Sequence, residues 1–318
     1  MKALVYQGPK QVALQEVPDP APQSGEVVVR IEAVGICGSD MHAWLGHDAR
    51  RPAPLILGHE AAGVTQDGRR VTINPLVSCG TCPACKAGRD NLCPHRQIIS
   101  MPPREGAFAE MVAMPAGNLV QVPAGVPLTK AALAEPLACG WHAVRLALQH
   151  IPKATTALVL GGGAIGLGGA LALSAQGVPN ITIVEPNEAR RERLAAMGHL
   201  AVAEAPEAEV DIVLDGVGFA ATRATASAKA RPGGVIAHIG LGSAEGGLDI
   251  RRMTLQEITF IGTYTYTAQD FRDTAQAIFE ERLGPLDWAE ERPLSDGVQA
   301  FDDIHAARVA APKVVLVP

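Results

Sequence analysis

The chain carries no block of basic residues, and its net charge of −6 at neutral pH argues against a nucleic-acid surface. No apolar leader opens it either. MKALVYQGPKQ reads as a first strand ending in a Gly-Pro turn, so no secretory signal is expected there. Cysteine is scarce: six in 318 residues, four of them between positions 79 and 93. Clustered spacing of that kind, without a signal, predicts a reducing, cytoplasmic setting and not disulfides. Charge is missing altogether from Ala154 to Val184, a run long enough to cross a bilayer. That run nevertheless holds Gly161, Gly162, Gly163, Gly166, Gly168 and Gly169, then Gly177-Val178-Pro179-Asn180. A Pro-Asn turn inside a lone spanning helix leaves backbone groups unpaired in lipid, so no membrane partner is expected. The run reads instead as buried strand, glycine turn, buried helix and second strand.

What is present is globular in balance, 47% apolar and 19% charged, and long enough for two domains. Cys79, Cys82, Cys85 and Cys93 stand at gaps of two, two and seven residues in CGTCPACKAGRDNLC. Four thiolates so close in sequence converge on one soft ion with little loss of loop entropy. Gly80, Gly88 and Pro83 let the backbone curl back. Such a set is closed, and predicts a structural zinc that takes no part in chemistry. An iron–sulfur loop ending in Cys-Pro has a shorter final spacing than this one, so zinc is the better fit.

Thr156–Leu160 (TALVL) has the composition of a parallel strand covered on both faces, and runs into Gly161-Gly162-Gly163-Ala164-Ile165-Gly166. A helix follows, then a second strand that ends at Glu185, nineteen residues past Gly166. Strand, GxGxxG, helix, strand and terminal acid in that order predict a dinucleotide site. Gly161 permits the tight turn, Gly163 lets backbone approach a pyrophosphate, and Gly166 lets helix and strand pack closely; Ile165 lies inside the same cradle. Glu185 is expected to accept from both adenosine ribose hydroxyls and to repel a 2′-phosphate, which favours NAD over NADP. Arg190 and Arg191, just downstream, pull the other way or simply form a solvated helix face. Further strand ends at Asp215-Gly-Val-Gly218 and Gly240-Leu-Gly242 continue a doubly wound parallel sheet.

Cys37-Gly-Ser-Asp-Met-His42 and Gly58-His59-Glu60 precede the nucleotide half. Cys37 and His59 are ligands of the type zinc takes in catalytic sites, where one position stays open. Cys37-Gly-Ser-Asp, Gly58-His-Glu, the four-cysteine lobe, Glu135-Pro-Leu and GxGxxG occur in the order found in zinc-containing medium-chain dehydrogenases. The chain resembles that family from Met1 to Pro318. CGSDMH and AEPLACGWHAV are most similar to its sorbitol, threonine and butanediol dehydrogenase branch.

The resemblance implies an α/β protein with a GroES-like β-rich catalytic domain and a Rossmann domain. Its expected divisions are 1–137 for the catalytic domain with its zinc lobe, 138–266 for the NAD domain, and 267–318 for the return. It implies two zinc ions, with Cys37 and His59 holding the catalytic one. Glu60 is favoured as third or exchangeable ligand, with Glu135 close behind as ligand or water-holder. Ser39 is implied to meet the substrate hydroxyl and His42 to carry its proton onward. Lys313 matches a position that contacts the coenzyme pyrophosphate, and Arg190 one near the adenosine ribose. The implied reaction is hydride exchange between NAD and a polyol, diol or 2-hydroxylated secondary alcohol, in a homodimer or homotetramer. A dehydrogenase of simple alcohols and a non-catalytic NAD-binding regulator are the alternatives. Two segments, 63–71 and 197–211, are shorter than is usual in the family, which leaves their loop geometry open.

Overall fold

The charge-free stretch forms strand Thr156–Leu160, helix Ala164–Ala175 and strand Asn180–Val184 in the computed structural model, which describes residues 1–318. No helix is long and apolar enough to cross a membrane. The chain divides into two compact units. One comprises Met1–Glu135, Thr267–Glu281 and Pro285–Pro318; the other comprises Pro136–Tyr266 and Arg282–Gly284.

The first unit is β-rich. Strand Glu26–Gly35 is its spine, pairing antiparallel with Glu60–Thr65, Met111–Pro115 and the C-terminal strand Lys313–Val317. A smaller sheet joins Gln11–Glu16, Lys2–Gly8 and Leu55–Ile56. Between them lies an apolar core that includes Leu4, Val29, Trp44, Phe108, Phe301 and Leu316. Phe301 meets Phe108 edge-on at 5.9 Å and Trp44 at 5.8 Å, so both chain ends share one core. The short 63–71 segment becomes a tight hairpin. Thr65 N–H donates to Arg69 O (2.9 Å), Arg69 N–H donates to Thr65 Oγ1 (3.0 Å), and Gly68 supplies the positive φ of +84°.

The second unit is a six-stranded parallel sheet in the order Leu200–Val202, Asn180–Val184, Thr156–Leu160, Val210–Asp215, Ala230–His238, Thr259–Gly262. In chain order that is 3-2-1-4-5-6, the arrangement of dinucleotide-binding sheets. Helices Ala134–His150 and Ala164–Ala175 touch backbone to backbone at Gly140, where a Cβ would fall 2.7 Å from Gly169 N. That close approach explains the small residues of the charge-free helix. Crossing from the third strand to the fourth takes only residues 203–209, with no helix. Seven extended residues reach about 25 Å. The crossing passes two strands, about 14 Å sideways, and because the strands are parallel it also runs back about 17 Å to reach Val210, about 22 Å in all, so the link lies nearly taut on the sheet. Ala205 within it packs on the core of Leu158, Leu160, Val213 and Ile236.

Asp211 ties the first and fourth strands of this sheet together. Its carboxylate accepts from Thr155 N (2.7 Å) and Thr156 N (3.0 Å) and pairs with Arg231. Burial alone would raise its pKa, but these donors outweigh it and hold the group at about 2. A depressed carboxyl contributes stability above its unfolded pKa that is lost as pH falls through the folded value. Asp211→Asn is therefore expected to destabilise the protein at pH 6 by on the order of 2 kcal/mol, with the gap closing between about pH 4 and pH 2. Urea unfolding of the two proteins across that range checks it; a gap independent of pH would refute the assignment.

Candidate metal and coenzyme site

Cys37 ends the spine strand and caps helix Gly38–Trp44. The buried Asp40 organises the turn: its Oδ2 accepts from Cys37 N (3.0 Å), and its Oδ1 accepts from Gly58 N (3.2 Å) and lies 3.4 Å from His59 Nδ1. A carboxylate on Nδ1 sets the ring and leaves Nε2 for a metal. Burial lowers the His59 pKa, but the Asp40 charge and hydrogen bond raise it well above the ordinary value. Gly58 has φ +90°, and a Cβ there would strike the Phe108 ring at 2.6 Å, so glycine is required next to the ligand histidine.

Ligand atoms of Cys37, His59 and Glu60 all lie within 4.8 Å of one another. Glu60 Oε1 accepts from Lys313 Nζ (2.6 Å), whereas its buried Oε2 has no partner. Gly35 leaves the space, since a Cβ there would fall 2.1 Å from Oε2. A thiolate, an imidazole and a carboxylate oxygen without a donor fit a zinc ion with an open position. Glu135, at the start of helix Ala134–His150, is buried but outside this three-residue set.

Ser39 and His42 both lie on helix Gly38–Trp44, with His42 exposed and its ring 6.4 Å from His47. The resemblance implied a pyrophosphate contact for Lys313; in the structure its ammonium is instead buried and donates to Glu60 and to Ile36 O (3.0 Å), beside the Cys37–His59–Glu60 set. Burial pulls its pKa down, and the charges of Glu60 and Cys37 more than restore it.

Sequence reasoning missed Arg51. Buried behind the site, it donates from Nε to Ser100 O (3.0 Å) and from Nη1 to Ser39 O (3.1 Å) and Asp48 Oδ2 (2.9 Å). Its Nη2 lies 3.5 Å from Ser39 Oγ, and Ser100 Oγ lies 3.5 Å from His59 Nδ1. One guanidinium thus joins the two sides of the metal set. The only sequence signal was an Arg-Arg pair in a polar loop, which reads as surface.

The second set is the cysteine loop. Sγ separations are 3.5 Å for Cys82–Cys85 and Cys79–Cys93, and 4.0 Å for Cys79–Cys85. A tetrahedron of sulfurs at zinc–sulfur bond length has edges of about 3.8 Å, so the four fit a zinc ion. Backbone N–H groups of Thr81 and Cys82 bring Cys79 down to about 5, while burial and neighbouring sulfurs push Cys85 up to about 12. Thiolates packed this closely repel one another unless a cation sits among them. Asp90, inside the loop, accepts from Ala268 N (3.1 Å) and fastens the lobe to helix Ala268–Phe279.

In the second unit, Gly161 has φ +96° and Gly166 has no room for a side chain, its Cβ falling 1.8 Å from Gly161 O. Around Gly163 nothing lies within 4 Å of a Cβ, which leaves the opening a pyrophosphate needs at the start of helix Ala164–Ala175. Ile165 is half-buried in that first turn. Glu185 is buried, accepting from Gly162 N (2.9 Å) through Oε2 and from Asn187 N (2.9 Å) through Oε1. Arg190 Nη1 stands 4.0 Å from Glu185 Oε2, and Arg191 donates to the carbonyls of Glu185 and Pro186. A dinucleotide fits this cradle.

Residues 23–124 match the alcohol dehydrogenase GroES-like domain family, and residues 164–280 the zinc-binding dehydrogenase family. Over 306 residues the chain is 30% identical to L-galactonate-5-dehydrogenase of Escherichia coli (strain K12), covering 89% of this chain and 88% of that one. The chain belongs to the zinc-containing medium-chain dehydrogenase family. Sorbitol dehydrogenase of Bacillus subtilis (strain 168) is 31% identical over 293 residues, 84% of this chain and 82% of its own. A Sinorhizobium meliloti 1021 structure of the zinc-binding dehydrogenase type, bound to NADP, superposes with a TM-score of 0.88 at 27% identity. It covers 100% of this chain and 99% of that chain. The fold is thus a GroES-like part with a Rossmann sheet, as the motifs predict, in an oxidoreductase family whose members carry zinc and a nicotinamide coenzyme.

Proposed function

We infer that this dehydrogenase exchanges hydride between NAD and a secondary alcohol bearing neighbouring oxygens: a polyol, a diol or a 2-hydroxylated compound. The carrying observation is the incomplete set Cys37–His59–Glu60, with the partnerless Glu60 Oε2, beside Ser39. The galactonate and sorbitol named for its relatives are polyhydroxylated, which supports that substrate class. When bound, zinc supplies Lewis-acid polarisation of the substrate hydroxyl and the nicotinamide supplies a hydride acceptor.

The protein's own residues do the rest. Cys37, His59 and Glu60 hold the metal, Asp40 fixes the His59 ring, and Lys313 balances the carboxylate charge of Glu60. Glu135 is assigned a supporting position, as an exchangeable ligand or water-holder. Ser39 Oγ takes a hydrogen bond from Arg51, which leaves its own proton free to pass along a path; His42, exposed on the same helix, delivers it to solvent. Cys79, Cys82, Cys85 and Cys93 keep a structural zinc. The first unit is assigned the substrate chemistry and the second the coenzyme, with Gly161, Gly163, Ile165 and Gly166 at the pyrophosphate. Six free cysteines accord with a cytoplasmic setting, and we assign a homodimer or homotetramer.

Glu185 is pre-set by Gly162 and Asn187 to accept from ribose hydroxyls, so NAD is the favoured coenzyme and Arg190 only tempers that choice. Steady-state assays across sugar alcohols, sugar acids, diols, threonine and simple alcohols test the reading. Highest kcat/KM is expected for a polyhydroxylated secondary alcohol with NAD. Glu185→Ala is expected to shift the NAD/NADP ratio toward NADP by about 10- to 100-fold, the worth of charged hydrogen bonds. A protein that binds zinc and NADH yet oxidises no alcohol would instead be a regulator.

A further inference from the structure

Arg223 takes no part in the metal set or the fingerprint, yet it is only 6% exposed, and its hydrogen bonds go to carbonyls and one hydroxyl, not to a carboxylate. It lies one turn into helix Ala220–Lys229, at the end where the helix dipole disfavours a cation. Burying a charge there costs free energy unless every donor is satisfied. They are satisfied, by two loops. Nε donates to Gly246 O (2.6 Å), and Nη1 to Gly218 O (2.8 Å) and Ser243 O (3.0 Å). Nη2 donates to Ser243 Oγ (3.0 Å) and Glu245 O. An apolar residue would serve helix packing better. What the guanidinium adds is the clamp on loops 216–219 and 240–247.

Those loops follow the fourth and fifth strands, and glycines interlock them. A Cβ on Gly218 would fall 2.1 Å from Gly240 O, and one on Gly247 would fall 2.0 Å from Ala220 O. Gly242 N donates to Val217 O (3.1 Å), and Ser243 N to Gly218 O (2.9 Å). Val217 in turn abuts the fingerprint, its Cγ2 lying 2.5 Å from where a Gly161 Cβ would stand. The clamped segment carries Leu241 at its outer turn, 87% exposed. In a doubly wound sheet the two halves bind the two mononucleotides on either side of the first strand. Glu185 and the second strand serve the adenosine half. Loops 216–219 and 240–247 serve the other.

We propose that Arg223 is a positioning residue for the nicotinamide-side half of the coenzyme: it pre-forms the two loops on which that half rests. The inference builds on the NAD reading above and deepens it. Full-length, zinc-containing protein is titrated with NADH by fluorescence, and AMP, which occupies only the adenosine half, is measured by competition. Arg223→Ala is expected to weaken NADH about tenfold while AMP changes less than about twofold, since only one half must now be ordered on binding. Arg223→Lys should rescue little, because one ammonium cannot span acceptors on both loops. Ser243→Ala, which removes a single acceptor, should show a smaller split of the same sign and carries the test if Arg223→Ala fails to fold. Equal weakening of NADH and AMP would reveal a general scaffold role and overturn the proposal, as would unchanged NADH binding. Wild-type protein that binds AMP but not NADH would overturn the coenzyme reading itself.

Discussion

Cys37→Ala is expected to lower turnover by about 10³-fold or more while the protein stays folded. Cys37 is one of only three side chains whose ligand atoms come within 4.8 Å at this site, so its loss leaves a two-point grip on the ion. Zinc content should fall from about two per chain to about one, because the four-sulfur set is untouched. Thermal stability should change little, since Cys37 is a half-buried helix cap and the Asp40–Gly58 bond remains. Cys93→Ser is the control. Cys93 is fully buried within the other set, so this variant should unfold at lower temperature while its folded fraction keeps near-normal kcat. A Cys37→Ala protein with full zinc content and full activity would remove the site from its proposed role.

Lys313→Met is expected to cost about 3–5 kcal/mol, the usual penalty for stripping one partner from a buried ion pair. Its ammonium and Glu60 are both buried, at 2.6 Å, and Glu135 adds further negative charge nearby. Because the folded pKa of Lys313 is raised, its contribution is fully present below the unfolded lysine pKa and is lost only as pH rises through the folded value. At neutral pH the whole effect should therefore be visible. A zinc ion on Glu60 offsets part of the uncompensated charge, so chelator-treated protein should show the larger drop. Urea midpoints of both forms check this. Equal stability of wild type and variant would mean that Glu60 is neutral in the fold, and would remove it as a ligand.

How legible each feature was depended on how far apart in the chain its parts lie. The cysteine loop spans fifteen positions and the fingerprint six, so spacing alone carried their geometry. The two shortened segments were visible as missing length. Their outcomes, a Thr65–Arg69 hairpin and a taut helix-free crossing at 203–209, depended on which strands flank them. Arg51 and Arg223 carried no signal of burial in the sequence, because the carbonyls that bury them come from loops that only the folded chain brings near. Lys313 was the plainest displacement: in sequence it is a basic residue in a terminal strand, 253 positions from Glu60.

The sequence by itself determined the metal and nucleotide chemistries, the order of the two halves and the closed character of the cysteine set. The cysteine set and the glycine fingerprint follow from residue types held close along the chain, and the rest from the order of motifs in the sequence. Tertiary structure alone decided that the ligand atom of Glu60, already favoured in the sequence, lies within 4.8 Å of those of Cys37 and His59 while Glu135 stands outside that group, that Lys313 pairs with Glu60, and that buried guanidinium groups fasten the loops. Those outcomes rest on antiparallel pairing of Glu26–Gly35 with Glu60–Thr65 and Lys313–Val317, and on the stacking of parallel strand ends. Pairing is set by the summed burial of whole strands, so no local run of residues encodes which distant charge will meet which.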